Sequence, residues 1–491
     1  MKRALPFAIV GALTCADPLA PAPLLIHVVE PASPATVSVL DTVWLLGEAT
    51  AEDIGLLPED SVWWALGAVE LSRGRGYRSR LPAGVHVASF HGRYGARHDS
   101  AQVTVVVVGS GVGAIRWVVP LPNQGDAVGL SQGLDGTLYA LDGTQVLTAI
   151  GTDGGVRWRT DLPVFAPRLV PSIGPDGTLY LPYWDPGGGV LAISPSGTVL
   201  WDFNIRAQAP PGSAFYHVHG HAAVGADGTV YIASEEDSGA VYAVNPDGSL
   251  KWRTRTRTTE TSRTRFTGPV TLVGDSLVVS LRRDVGRLRL FALSATDGAV
   301  RWNAPLGELG IETPGPAIGL NGTIYVVSSG NGYPAPPMSA VSPAGDSIWM
   351  RPDLLSVNRQ GGPTVRGGRM FVPGVDGEVE VSSTTDGTSV TSWGPPLGVE
   401  RAGSATIGRN GVVYVLGRQA LVSYAADGQV RFVLPFPQTL LLGEAPIVGA
   451  DGTVYVRVTG FGVVAVGDTV GPAADADWPT FQGNFQRQGR R

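Results

Sequence analysis

Beyond residue 113 the chain repeats itself, with a spacing of about 40 to 50 residues, and that period limits the fold more than any local propensity does. One mark is a turn running into a strand, of the form Asp-Gly-Thr-(Leu/Val)-Tyr. It occurs at Asp135 to Tyr139, Asp176 to Tyr180, Asp227 to Tyr231, Asn321 to Tyr325, Asn410 to Tyr414 and Asp451 to Tyr455, with degenerate copies at Gly274 to Val278 and Gly367 to Phe371. The second mark is a glycine turn followed by a short strand that ends in tryptophan: Trp117, Trp158, Trp201, Trp252, Trp302, Trp349 and Trp393, with Phe432 in the eighth place.

Asp-Gly and Asn-Gly supply the positive φ that a tight hairpin needs, and the alternating apolar residues beside them read as paired strands. Each repeat therefore offers about four strands, too few to bury both faces of a sheet alone. Successive sheets must stack radially, which predicts an all-β, eight-bladed β-propeller with the recurring tryptophan packed between neighbouring blades. The strand starts carry small or rigid residues, Pro171, Ala222, Pro269, Pro316, Ala405 and Pro446, suited to a crowded axis. With 67 Gly, 38 Pro and only 16% charged residues, long helices are excluded.

Of the repeated tryptophans only Trp201 is followed by Asp, against the Trp-Asp with an upstream Gly-His of WD40 repeats, and a Gly-Gly pair does not recur in each repeat as it does in kelch. Instead Asp247-Gly-Ser-Leu-Lys-Trp252 and Asp297-Gly-Ala-Val-Arg-Trp302 resemble the pyrroloquinoline quinone (PQQ)-like propeller repeat. The end of the chain, Asp477-Trp-Pro-Thr-Phe-Gln-Gly-Asn-Phe-Gln-Arg-Gln-Gly489, is similar to the Trp-Pro-x-Phe-x-x-(Asp/Asn)-x-x-Arg-x-Gly segment that borders such propellers. The resemblance implies that this segment helps to close the ring between first and last blades. The family holds quinoprotein dehydrogenases and also non-enzymatic members such as BamB, the lipoprotein of outer-membrane barrel assembly. The enzymes carry a disulfide of adjacent cysteines, a calcium site and a catalytic Asp. The single cysteine of this chain, Cys15, lies outside the propeller, and its Asp-Gly pairs lack the flanking oxygen ligands of a calcium loop. The expectation is a non-enzyme without a cofactor.

The first residues have the layout of a signal peptide: Lys2 and Arg3, then an apolar run from Ala4 to Leu13. Ala12-Leu13-Thr14-Cys15 resembles a bacterial lipobox, with Thr14 where that family usually has Gly, Ala or Ser, and implies lipidation of Cys15. The expected organisation is a signal peptide over 1–16, a tether over 17–23, a β-sandwich over 24–108 and the propeller over 113–491. The sandwich is expected from six short alternating runs, Leu25 to Val29, Thr36 to Leu40, Val43 to Leu46, Ser61 to Leu66, Val85 to Phe90 and Val103 to Val108. Trp63 or Trp64 is its candidate core aromatic. Leu81-Pro-Ala-Gly-Val-His86 followed by a valine-rich strand resembles bacterial immunoglobulin-like modules.

Two motifs that could signal enzymes are in the wrong context. Gly129-Leu-Ser-Gln-Gly133 has the nucleophile-elbow spacing but falls in a β-repeat, not a strand-turn-helix. Gly109-Ser-Gly-Val-Gly113 has no P-loop lysine and reads as a hinge. His217-Val-His-Gly-His221 would place three imidazoles, including His219, on one face of an extended segment, within reach of a metal or, in the blander reading, solvated at a propeller mouth. Residues 251–265 hold Lys251, Arg253, Arg255, Arg257, Arg263 and Arg265 against one acid, Glu260. Beyond the repeat's own Trp252 the run is interleaved with threonines, not aromatics, and reads as a solvated loop or a docking surface for an acidic protein, phospholipid head groups or an anionic glycan, not a platform for bases. Repeat register puts Glu312, Arg359, Glu400 and Arg401 at the same mouth.

The net charge of −6 argues against a nucleic-acid-coating protein. The combined expectation is an exported protein of the periplasm or cell surface that binds an envelope protein partner at one propeller mouth, touching the membrane only through an N-terminal lipid. The alternative is a carbohydrate- or surface-adhesion module in which the sandwich does the binding.

Overall fold

Each Asp-Gly-Thr mark folds as a side-chain-locked turn. In the first, one carboxylate oxygen of Asp135 accepts from the Thr137 amide at 3.0 Å and the other from the Thr137 hydroxyl at 2.7 Å. Asp176, Asp227 and Asp451 hold Thr178, Thr229 and Thr453 in the same way. The side chain thus satisfies the turn's amide, and the following glycine takes positive φ. The structure, a computed structural model, describes residues 23–39, 41–122, 129–166, 169–208, 217–218, 220–235, 239–255, 265–266, 268–284, 287–308, 315–327, 338–351, 362–374, 378–394, 403–436, 445–480, 482–484 and 486–490.

Two units are present, Met1–Val107 and Val108–Arg491. In the first, a four-stranded sheet (Leu25–Glu30, Val43–Ala51, Gly55–Leu56, Gly76–Ser79) faces a five-stranded one (Ala35–Ser38, Val62–Leu66, Val69–Arg73, Gly84–Tyr94, Arg97–Val108). Val43, Leu45 and Ala49 from one sheet pack against Trp64, Phe90, Val103 and Val105 from the other. Of the two candidate tryptophans, Trp64 is the buried one, its indole donating to the Arg75 carbonyl at 2.8 Å. Trp63 points to the opposite face and stacks on His91. The strands Val69–Arg73 and Gly76–Ser79 had no sequence signal, because both lie at sheet margins and expose half or more of their residues.

The second unit holds eight antiparallel sheets among its described residues, seven of four strands and one of five. Their inner strands follow in chain order: Leu130–Gln132, Ser172–Ile173, Ala223–Val224, Thr271–Val273, Ala317–Ile318, Thr364–Arg366, Thr406–Ile407 and Ile447–Val448. The last sheet takes its outer strand from the start of the unit: Ile115–Val119 pairs with Gly462–Val466, Trp117 opposite Ala465. The chain therefore closes its last sheet with this strand. Closure by a strand satisfies a whole row of backbone groups, which an irregular segment cannot.

The repeated tryptophans sit between sheets. The indoles of Trp158, Trp201, Trp252 and Trp302 donate to carbonyls of the next sheet's turn, from Pro195, Pro246, Ala295 and Pro343, each at 2.9 Å. The ring lies flat on that turn's glycine. A Cβ on Gly248 would stand 2.9 Å from the Trp201 ring, and Gly248 has φ +85°, so only glycine suits both the space and the backbone. Gly113 takes this place against Phe432 in the eighth position, so the expected hinge at 109–113 is, at its end, an anchored docking turn. Trp393 departs from the pattern. It stands six residues after its turn glycine, Gly387, instead of four, and its indole N–H has no acceptor among the described residues.

Candidate functional site

Up-and-down order puts the short Asp-Gly turns of every sheet on one face and the long connections between sheets on the other. The space between the inner strands is filled by the C-terminal segment. Its carbonyls accept from the free edges of the inner strands: Gln486 from the Ile173 amide at 2.8 Å, Gln488 from Val224 at 2.8 Å, Gly489 from Leu272 at 2.7 Å and Pro479 from Ile407 at 2.7 Å. Trp478 exchanges both backbone bonds with Val365. Arg487, with no exposed surface, donates to the carbonyls of Leu130 at 3.0 Å and Ala445 at 2.9 Å and to the Thr480 hydroxyl at 3.2 Å. Gly489 ends the segment at φ +61°. The Trp-Pro to Arg-x-Gly motif is thus a plug, and its polar residues bond inward instead of forming a solvent-facing site.

His217, His219 and His221 were expected on one face. The structure separates the two that it describes. The His221 imidazole is buried and accepts from the Val170 amide at 3.4 Å; burial, and behind it the positive Arg487, push it down to about 3. His217 instead packs against Trp184, ring centroids 5.6 Å apart, and its carbonyl accepts from the Glu235 amide at 3.0 Å. Three or more metal-ligating side chains do not gather anywhere among the described residues. Because the folded His221 resists protonation, stability is full above the unfolded value near 6.5 and is lost as pH falls from there toward about 3. His221→Gln should therefore flatten the acid limb of a urea-midpoint-versus-pH curve between those values; a limb of unchanged slope would refute the assignment.

Of the basic run, Lys251 is locked on the turn face by Asp227 at 3.2 Å and Thr229 at 2.9 Å, and Arg253 lies over the Tyr242 ring at 5.4 Å. Arg255 ends the strand Leu250–Arg255, and the backbone of Arg265 pairs with Arg283. Cys15, His219, Arg257, Arg263, Glu312, Arg359, Glu400 and Arg401 lie outside the described residues. Beside Lys251 a cleft of about 400 Å³ opens between the third and fourth sheets, lined by Asp227, Tyr231, Asp275 and Thr296. The degenerate turn at Gly274 beside it joins its strands with fewer residues than the Asp-Gly-Thr turns do.

The long-connection face carries a cluster that repeat analysis passed over. Trp184 follows the strand Leu179–Tyr183 and belongs to neither repeated mark. Its amide donates to the Phe165 carbonyl at 2.8 Å, and the Phe165 amide to the Asp185 carbonyl at 2.8 Å, so two connections are clipped together. The Tyr183 hydroxyl donates to Asp202 at 2.6 Å, while Asn204 donates to Tyr183 at 3.1 Å and to the Pro186 carbonyl at 2.7 Å, holding the Trp184 loop. Burial, together with the Asp202 carboxylate, raises the Tyr183 hydroxyl far above its usual range, so it remains a donor. The rings of Phe165 and Trp184 meet edge to face at 6.4 Å, and the His217 ring also packs against Trp184. Phe165 keeps 48% of its surface exposed. A held, partly exposed aromatic group of this kind suits recognition: its large area is ordered before binding. The signal in the sequence was Trp184 itself, a tryptophan out of register with its repeat.

Repeated antiparallel sheets, mostly of four strands and docked on one another through tryptophan, define a PQQ-like β-propeller. The model of the family described as outer membrane protein assembly factor BamB matches residues 186–262 and 238–439, together just over half of the chain, and the protein belongs to that family. Among solved structures it is similar to BamB from Moraxella catarrhalis, with a TM-score of 0.54 and 15% identity over 72% of this chain and 98% of that one. It is also similar to quinohemoprotein alcohol dehydrogenase from Comamonas testosteroni, with a TM-score of 0.52 and 14% identity over 72% of this chain and 76% of that one. At such identity the likeness shows the fold. No curated protein matches the chain in sequence.

Proposed function

We propose that the protein is a non-catalytic binding scaffold of the cell envelope: exported, lipidated at Cys15, with an immunoglobulin-like sandwich ahead of an eight-bladed propeller. Its partner is an envelope protein, bound at the mouth that bears the long connections. Family membership supports assembly work at the outer membrane. The observation that carries the reading is the Phe165–Trp184–His217 cluster, held by hydrogen bonds and left half open on that face. The plug supports it too. Arg487, Trp478 and Gln488 fill the space between the inner strands with the chain's own atoms, a poor fit for a quinone there.

A crosslinked pull-down from native envelopes tests this with wild type beside Trp184→Ala/Phe165→Ala. Loss of a captured partner, by tenfold or more, is expected in a variant that melts at a lower temperature but still cooperatively, since Trp184 also packs on the core and aromatic hot spots contribute 2 kcal/mol or more, roughly. Equal capture by both proteins would move the site elsewhere. The glycan-binding alternative rests on the sandwich, where Trp63, His91 and His98 lie with centroids 5.1 to 5.8 Å apart.

A further inference from the structure

The repeats set their own standard for what a turn aspartate does. Asp135, Asp176, Asp227 and Asp451 each spend both carboxylate oxygens on the threonine of their own turn. Two of them also meet a cation from the outer strand of the same sheet: Lys251 lies 3.2 Å from Asp227, and Arg116 lies 3.0 Å from Asp451. The shorter turn of the fourth sheet holds an aspartate too, Asp275, but no threonine follows it. Asp275 is exposed, and its carboxylate neither accepts a hydrogen bond nor meets a cation among the described residues. The cation that corresponds to Lys251 in this sheet, Arg301, bears on Asp297 instead. Asp275 is thus a turn carboxylate without a duty in the fold.

That carboxylate lines the cleft of about 400 Å³ between the third and fourth sheets, a volume in the range of small-molecule sites. Tyr231, Leu272 and Ala295, all buried, give the cleft an apolar floor. The third sheet adds Asp227 and Lys251, and the ammonium is already held by Asp227 and by the Thr229 hydroxyl at 2.9 Å. Both carboxylates bear on one oxygen. Burial, then the charges of Asp227 and Asp275, push the Tyr231 hydroxyl up to about 12, so it stays a donor, to the Ala295 carbonyl at 3.3 Å. The cleft therefore holds one negative charge more than its lysine answers, beside an apolar floor. A group that is positive at one end and alkyl along its stem matches both features: the charge goes to Asp275 and the stem lies on Leu272 and Ala295. A bare divalent ion fits poorly, since three or more metal-ligating side chains gather nowhere among the described residues.

We propose that this cleft binds a small organic cation, an amine or guanidine on a short alkyl chain, with Asp275 as its charge partner. The cleft lies on the turn face and the Phe165–Trp184–His217 cluster on the long-connection face, so either site can fail without the other.

The probe is n-butylguanidinium, titrated into the full chain and followed by saturation-transfer NMR. Wild type should bind it saturably, with a dissociation constant of about 1 mM or less. Binding should weaken as salt rises. Asp275→Asn should weaken it about tenfold or more while melting as wild type does, because the carboxylate it removes bonds to nothing in the fold. Asp161→Asn, which removes an exposed carboxylate from the outer strand of the first sheet, should bind as wild type does. A capped tripeptide with arginine at its centre separates the two sources of such a group. Competition as strong as that of butylguanidinium supports a partner's side chain as the occupant, and failure to compete supports a free amine or guanidine. No saturable binding to wild type, equal binding by Asp275→Asn, equal loss in Asp161→Asn, or displacement by magnesium at matched ionic strength would each overturn the proposal.

Discussion

Replacing Arg487 by methionine is expected to lower the stability of the propeller by about 3 kcal/mol or more, since each buried acceptor left without its donor costs roughly 1 to 3 kcal/mol. Methionine matches the length and keeps the apolar stem. What is lost is the donor set, leaving the carbonyls of Leu130 and Ala445 and the Thr480 hydroxyl short of their buried partner. These acceptors belong to the first sheet, the approach to the last sheet and the plug itself, so a single side chain ties the ring across its seam. Unfolding of a ring of repeats need not be two-state, so the midpoint of urea unfolding followed by tryptophan fluorescence is the safer readout. A midpoint equal to wild type would mean that the plug is packed on the ring without holding it.

Gly462→Ala should be almost as damaging, by about 4 kcal/mol, as the sum of a strained backbone and an overpacked contact. Gly462 stands at φ +106°, and a Cβ there would run into the Val119 carbonyl oxygen and within 2.9 Å of the Pro120 backbone. Those atoms end the strand Ile115–Val119, which closes the ring. The obstacle is main chain on both sides, so no side-chain rotation can relieve it. The measurement is limited proteolysis with thermal unfolding: the variant should be cut near residue 120 at temperatures where wild type is resistant. Gly55→Ala, at φ +78° but with open space around it, is the control for backbone strain alone. Equal losses in the two variants would remove the seam from the explanation.

The legibility of this chain follows its periodicity. The turns at Asp135, Asp176, Asp227 and Asp451 and the tryptophans from Trp117 to Trp349 could be read directly, because each is a local solution that recurs: a side chain satisfies its own turn, and a ring covers the next turn's glycine. The alternation in Val43–Ala51, buried at every second residue, was legible for the same reason. Local rules failed where a residue's partner is far along the chain. The histidines were placed on one face by strand alternation, yet His221 is turned toward Val170 and the plug, while His217 meets Trp184. Trp184 was hidden by the strength of the repeat around it.

The sequence by itself determined the repeat, the all-β class and the β-propeller, since these rest on contacts within one unit or between neighbours. Tertiary structure alone decided that Ile115–Val119 closes the last sheet and that the Arg487 segment fills the axis, bonded to Leu130 a separation of 357 residues away. It also decided that Phe165, Trp184 and His217 share one rim. The physical reason is ring closure: a repeat specifies its relation to the next repeat, but which free edge the two chain ends satisfy is fixed only when the last sheet meets the first.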